Sequence, residues 1–197
     1  MGKRNIFYAS LGGTIASVPK GENGTQLEPE YTGKELLEFL KASAKGIPMD
    51  YDRIKVADPF KMDSTDMNRV EYTTLAKLLY DAITTGKYKG VVISQGTDKI
   101  ANTAMNLSFS LPFPQIPIIY TGSMHTMEES GSDAVPNLYG AFVSADDGRF
   151  NGHNVFFASH LISGVRVIKT GRKEHEVESI DSSPIAKIAR KRGIIPA

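Results

Sequence analysis

No cysteine occurs among the 197 residues. Disulfide frameworks, thiol nucleophiles and thiolate metal sites are excluded, and a cytoplasmic setting is weakly favoured, since a cysteine-free chain fits any compartment. An excess of charge is missing as well: 23 lysines and arginines stand against 22 aspartates and glutamates. That balance gives no electrostatic reason to expect nucleic acid or an anionic membrane as partner. No stretch reaches the roughly 18 consecutive apolar residues that a membrane-spanning helix needs. The opening residues Met1–Tyr8 include two basic side chains, but the apolar run is too short for a secretory signal. The four histidines, His125, His153, His160 and His175, lie late in the chain and have no metal-site spacing with one another or with the acids. No metal and no cofactor is therefore expected. An apolar share of 41% is ordinary for a globular protein with a sizeable core.

Short apolar runs alternate with helical periodicities. Asn5–Ala9 reads as a strand that ends in the turn Ser10-Leu11-Gly12-Gly13. Residues Ser17 to Glu30 read as a mobile loop or hairpin, rich in glycine, proline and polar side chains. Gly33–Ala44 is helical, with Leu36, Leu37 and Leu40 on one side, and Arg53–Ala57 is a short strand. Asn68–Thr84 places Tyr72, Leu75, Leu79 and Ile83 at three- and four-residue steps, a helical stripe. Val91-Val92-Ile93 has the composition of a buried strand. Lys99–Leu111 is helical until Pro112 and Pro114 stop it. Ile116–Tyr120 is a strand, Pro136–Ala145 a helix, and Val155–Ala158 and Val165–Ile168 are late strands. Alternation of this kind predicts an α/β fold with a largely parallel sheet flanked by helices. In such sheets ligands bind beyond the carboxyl ends of the strands.

Three loops after or between these elements carry unusual side chains. In Leu11-Gly12-Gly13-Thr14, two glycines permit a tight turn and bring backbone amides near a ligand, with the Thr14 hydroxyl beside them. The turn is equally readable as structural, with threonine as the cap of the next element. A nucleotide-binding reading fails because the spacing is not G-x-G-x-x-G. Asp63-Ser64-Thr65 offers a hydroxyl and backbone amides to a carboxylate, or simply caps the Asn68–Thr84 helix. Gln95-Gly96-Thr97-Asp98-Lys99 comes directly after a buried strand and combines close approach, a hydroxyl and a charge; Asp98 also suits a helix start. A hydroxyl is a poor nucleophile until a base takes its proton. None of the histidines falls in these loops, although His125 comes after a strand. The remaining option is a threonine–aspartate–lysine relay with lysine as the base.

Taken together, the three loops resemble the bacterial-type L-asparaginase family. The likeness extends through Tyr120-Thr121-Gly122-Ser123-Met124, Ser132-Asp133-Ala134, Asn137-Leu138-Tyr139, Gly164-Val165-Arg166 and Glu178-Ser179-Ile180, and so covers nearly the whole chain. Asp63-Ser64-Thr65 and Gly122-Ser123 look more like the cytosolic members than the secreted ones. The resemblance implies hydrolysis of L-asparagine to L-aspartate and ammonia, with L-glutamine as a possible second substrate. It implies Thr14 as nucleophile, and Thr97 and Asp98 as part of the proton relay. Asp63, Ser64, Thr65, Gly96 and Asp98 would hold the substrate, Ser64 at its α-carboxylate and Asp98 at its α-ammonium. Backbone amides near Thr14 and Thr97 would stabilise the oxyanion.

The resemblance also sets expectations that this chain does not meet directly. The relay lysine is expected shortly after the helix that begins at Pro136, yet that stretch reads Ala145-Asp146-Asp147-Gly148-Arg149, and arginine cannot act as a base. Lys99 would be a stand-in without family precedent. Where many members have a tyrosine in the mobile loop, Gly21-Glu22-Asn23-Gly24-Thr25 has threonine, and Tyr31 lies further along. Members continue into a smaller carboxy-terminal domain that completes a neighbour's site. The expected organisation is thus a catalytic domain over 1–168 and a polar, linker-like tail over 169–197. The expected assembly is a homo-oligomer or a pairing with a separate carboxy-terminal chain. Two rival readings keep the pocket without the hydrolysis: a non-catalytic amino-acid-binding module, and an amidotransferase subunit that supplies ammonia to a partner. An amine within hydrogen-bond reach of Thr97 separates the enzyme from the binding module.

Overall fold

Strand β1 (Asn5–Ser10) shows why the sheet is buried on both faces. Its odd and even side chains enter different cores: Ile6 and Tyr8 join one apolar cluster, Phe7 and Ala9 the other. Successive strand residues point to opposite faces, so a strand apolar at every position belongs inside a three-layer α/β stack. The computed structural model describes residues 5–21, 26–43, 49–170, 177–181, 183–189 and 193–196.

Beyond β1 the order is β2 (Ser17–Lys20), β3 (Gln26–Pro29), α1 (Gly33–Ser43), β4 (Ile54–Ala57), α2 (Arg69–Thr84), β5 (Tyr88–Ser94) and α3 (Ile100–Ser110). It continues with β6 (Pro117–Thr121), α4 (Ala134–Asp147), β7 (Gly152–Phe157), β8 (His160–Ser163), β9 (Val167–Lys169), β10 (Val177–Ser179), β11 (Ala186–Ala189) and β12 (Gly193–Pro196). Eight strands form the main sheet in the order β12-β11-β8-β7-β6-β5-β1-β4. The run β7-β6-β5-β1-β4 is parallel throughout, and β8, β11 and β12 extend it by antiparallel pairings. The largely parallel, helix-flanked sheet expected from the sequence is therefore present.

Helices α1 and α4 cover the face of Tyr8 through Leu36, Leu40, Leu138 and Phe142. Helices α2 and α3 cover the other face through Leu75, Leu79, Ile100 and Leu107. Local chemistry starts the helices where periodicity places them. Asn68 Oδ1 accepts from the Val70 amide at 2.9 Å, while Glu71 Oε2 accepts from the Asn68 amide at 2.9 Å, a reciprocal cap on α2. Thr32 and Glu35 make the same exchange ahead of α1.

Strand β1 is flanked by β4, the next main-sheet strand in sequence, and by β5, reached only after the chain has crossed back over β1. The order of connection reverses there, so the switch point lies between β1 and β5. In open α/β sheets a crevice opens at that place, beyond the carboxyl ends of the two strands.

Three features add to the sequence reading. Ser17–Glu30 contains a true hairpin, β2 paired with β3 from Ser17↔Pro29 to Lys20↔Gln26. Strand β8 has no counterpart in the sequence reading. It pairs back on β7 across a two-residue turn, with Ala158 at φ 46° and Ser159 at φ 67°. Such turns normally carry Asn-Gly or Asp-Gly, so Ala-Ser gives no turn signal. Within the segment read as a polar tail, Lys169 closes β9, β10 pairs with β9, and β11 joins the main sheet beside β8.

Candidate active site

The crevice is built by backbone contact between the three loops. Leu11 donates its amide to Ser94 O at 2.9 Å, which aligns the ends of β1 and β5. Gly13 donates to Met62 O at 3.0 Å, and Met62 returns an amide to Leu11 O at 3.2 Å, tying the first loop to the second. Gly13 sits at φ 74°, and a Cβ there would stand 2.1 Å from the Gly96 nitrogen. Both the backbone angle and the contact with the third loop require glycine. Gly96 is pressed in turn against the second loop, since a Cβ on it would lie 2.5 Å from Ser64 Oγ. Thr14, Ser64 and Thr97 are thereby gathered within one site from three separate stretches of the chain.

Thr14 opens a single 3-10 turn, Thr14–Ala16, and is half-buried. The turn is fixed from behind by Ser17, whose hydroxyl donates to Gly13 O at 2.8 Å. Asp63 caps the turn Ser64–Asp66, accepting from the Thr65 amide and the Thr65 hydroxyl, each at 2.8 Å. Both Asp63 and Thr65 are exposed, but Ser64 is buried, and its Oγ has no hydrogen-bond partner among the described residues. Gln95 Oε1 is likewise buried and unpartnered there, while its Nε2 donates to Thr103 Oγ1 at 3.1 Å. The unpartnered Ser64 Oγ, pressed against Gly96, marks a place suited to a polar group from outside the described residues.

Thr97 and Asp98 open the turn Thr97–Lys99, which runs directly into α3. The Lys169 side-chain nitrogen donates to Thr97 Oγ1 at 2.9 Å and to Asp98 Oδ1 at 2.8 Å. Thr97 is 4% exposed, whereas the Asp98 side chain is 56% exposed. Lys169 reaches this position because β9 is anchored on α3. Val167 of β9 and Val177 of the adjoining β10, which faces Lys169 across the ladder, are buried in the cluster that holds Ile100, Ala104 and Leu107.

Lys169 is the residue that the sequence reading missed. The lysine expected after the helix at Pro136 is not there, and the structure shows why no residue at that place would serve. Helix α4 begins beside the crevice, with Asn137 Nδ2 bonded to Gly122 O, and ends near Gly90 in the first half of β5. Its end therefore lies away from the carboxyl ends of the strands. Arg149, just past it, pairs with Asp147, whose carboxyl is held below the usual range by that hydrogen bond. A signal for Lys169 existed: it comes after Val167-Ile168 at the carboxyl end of a strand, where α/β sheets place ligand groups.

Other candidates have other partners. His125 is exposed and pairs with Glu129. Thr25 falls outside the described residues. Tyr31 is near the first loop, its amide bonded to Ala16 O at 2.9 Å. Its hydroxyl is given to Glu128 at 2.5 Å, and that bond pushes its pKa up to about 12. No group of three or more potential metal ligands occurs among the described residues. No helix among them is long and apolar enough to cross a membrane.

The structure is that of an open α/β protein with a switch point between β1 and β5 and a lysine-bridged threonine–aspartate pair in the loop that follows β5. The chain belongs to the asparaginase family, matching the family's "Asparaginase, N-terminal" domain over residues 5–195. It is 34% identical over 164 residues to an L-asparaginase of Thermococcus kodakarensis, covering 83% of this chain and 47% of that protein. The solved structure of the thermostable L-asparaginase from that organism superimposes with a TM-score of 0.82 at 30% identity, covering 97% of this chain and 56% of that one. A glutamyl-tRNA(Gln) amidotransferase subunit of Methanopyrus kandleri is 30% identical over 195 residues, covering 93% of this chain and 41% of that protein. The chain thus spans less than half the length of these curated relatives.

Proposed function

We propose that this chain carries the active site of an L-asparaginase-type amidohydrolase, which converts L-asparagine to L-aspartate and ammonia. The observation that carries this reading is the Lys169 amine held between Thr97 Oγ1 and Asp98 Oδ1. A pocket for binding alone has no use for a base against a buried hydroxyl, so the position of Lys169 favours the enzyme over the non-catalytic module.

In the proposed reaction Thr14 Oγ attacks the side-chain amide carbon. Amides that open the helical turns at Thr14 and Thr97 lack partners within those turns and would meet the developing oxyanion. As Thr14 Oγ bonds to the amide carbon, its proton passes into the relay: Thr97 Oγ1 takes it while giving its own proton to Lys169, which enters the step as the neutral amine oriented by Asp98. The relay then hands that proton to the amide nitrogen, the C–N bond breaks with release of ammonia, and the aspartyl ester left on Thr14 is hydrolysed by water to aspartate and the free Thr14 hydroxyl. Ser64 Oγ, with the amides of Asp63 and Thr65, holds the α-carboxylate; Gly96 allows its close approach, and Asp98 pairs with the α-ammonium. Asparagine and glutamine differ by one methylene, a distinction worth only about 1–3 kcal/mol, so glutamine is proposed as a poorer substrate. We place the reaction in the cytoplasm, in a homo-oligomer or in a pairing with a separate carboxy-terminal chain, without nucleic acid or membrane. The segment from Lys169 onward is then the end of a catalytic strand and a connection toward that partner.

A second reading has its own support, because an amidotransferase subunit is among the relatives. The same pocket would then supply ammonia to a partner enzyme. Ammonia release from L-asparagine by the purified protein, beside a Thr14→Ala variant, tests the first reading. Release that depends on Thr14 supports it. Release that occurs only when an amidotransferase partner is added favours the second.

A further inference from the structure

Thr97 is the relay hydroxyl, yet a serine would offer the same oxygen. What the threonine adds is a methyl group, and its surroundings are specific. A Cβ placed on Gly122 would stand 3.3 Å from Thr97 Cγ2 and 2.5 Å from Gln95 O. Gly122 therefore forms a flat wall, free of side chain, against which the threonine methyl rests. That wall is rigidly held. Asn137, itself buried, donates from Nδ2 to Gly122 O at 3.0 Å and to Asp133 Oδ2 at 3.0 Å. Its Oδ1 accepts from the Ala158 amide at 3.0 Å, so one side chain clamps the ends of β6 and β7. On the near side, Gln95 donates its amide to Thr121 O at 3.0 Å.

A threonine has two heavy atoms on Cβ, so placing one of them decides where the other goes. We infer that packing of the Thr97 methyl on Gly122 fixes the Thr97 hydroxyl toward Lys169, and that Gly122 and Asn137 are positioning residues for the relay. The inference rests on the reading of Thr97 as part of the proton relay. Serine at this position would keep the oxygen and lose the constraint, leaving its hydroxyl three staggered wells in place of one. The productive fraction falls toward about one third on that count alone.

The test compares Thr97→Ser with Thr97→Val in the protein as it occurs, by ammonia release from L-asparagine and by crystal structures of both variants. Valine keeps the shape and removes the oxygen; serine does the reverse. Expected are loss of nearly all activity in T97V, a kcat about three- to tenfold below wild type in T97S with KM unchanged, and a T97S hydroxyl spread over more than one rotamer. Wild-type kcat in T97S, or a single hydroxyl rotamer on Lys169 in its crystal structure, would overturn the inference and leave the relay intact. An active T97V would instead remove Thr97 from the relay and take the inference with it. Should none of the proteins release ammonia, the rotamer observation alone decides.

Discussion

Replacing Lys169 with methionine removes the amine and keeps most of the aliphatic stem. Two hydrogen bonds are lost, at 2.9 Å to Thr97 Oγ1 and at 2.8 Å to Asp98 Oδ1. Their consequences differ because the partners are differently exposed. Asp98, 56% exposed, regains water at little cost. Thr97, 4% exposed, keeps a buried hydroxyl that loses its partner, a loss of about 1–3 kcal/mol in stability. For a chain of this size that lowers the melting temperature by roughly 2–12 °C. Loss of the base costs about 10²–10⁴ in kcat, or about 3–5 kcal/mol of barrier. The kinetic effect thus exceeds the structural one, and the two are read separately by steady-state ammonia release and scanning calorimetry at a temperature where both proteins are folded. Lys169→Arg sharpens the experiment: it preserves charge and donors but cannot give up a proton at working pH. Arginine is expected to restore the melting temperature without restoring kcat. If K169M or K169R turns over within about tenfold of wild type while T14A does not, Lys169 is structural, and the proposed relay is wrong.

Three further outcomes are expected of the site and the core. Ser64→Ala should raise KM for L-asparagine about ten- to a hundredfold, the loss of one hydrogen bond to a charged group, with kcat within about threefold. Its thermal stability should not fall, because Ser64 Oγ has no partner among the described residues; an unchanged KM would remove Ser64 from substrate binding. Gly13→Ala combines a left-handed φ of 74° with a Cβ 2.1 Å from the Gly96 nitrogen. Strain and overpacking together suggest a destabilisation of about 2–5 kcal/mol, read from the urea midpoint, with activity lost in the remaining folded protein; a wild-type midpoint would contradict the close packing of the two loops. His153 is buried, with Nδ1 2.7 Å from the Tyr120 hydroxyl and Nε2 3.0 Å from Leu111 O, and burial pushes its pKa down. A histidine whose folded pKa lies below its unfolded value of about 6.5 stabilises the protein above that pH, and the contribution is lost as pH falls through the folded value. His153→Gln should therefore flatten the decline of melting temperature between about pH 7 and about pH 5, whereas an unaltered slope would mean that His153 does not titrate in that window.

Much of this protein is set locally. Leu36, Leu37 and Leu40, or Leu75 and Leu79, recur at helical spacing, and side-chain periodicity needs no knowledge of distant contacts. The runs at Asn5–Ser10 and Tyr88–Ser94 are apolar on both faces, which by itself calls for a sheet covered by helices. Three loops with glycine and hydroxyl residues set into that pattern carry the family resemblance, and it is the resemblance that nominates Thr14, Ser64, Thr97 and Asp98. Two things depended on tertiary structure. The hairpin into β8 turns through Ala158 and Ser159 in left-handed conformations that neither residue announces, because β7 and its neighbours hold them there. Lys169 stands 72 positions from Thr97; only the packing of Val167 and Val177 on α3 brings its amine to that hydroxyl. Periodicity is a property of neighbouring residues and survives in a string of letters, whereas the contact of Lys169 with Thr97 is a distance between residues that the fold alone makes short.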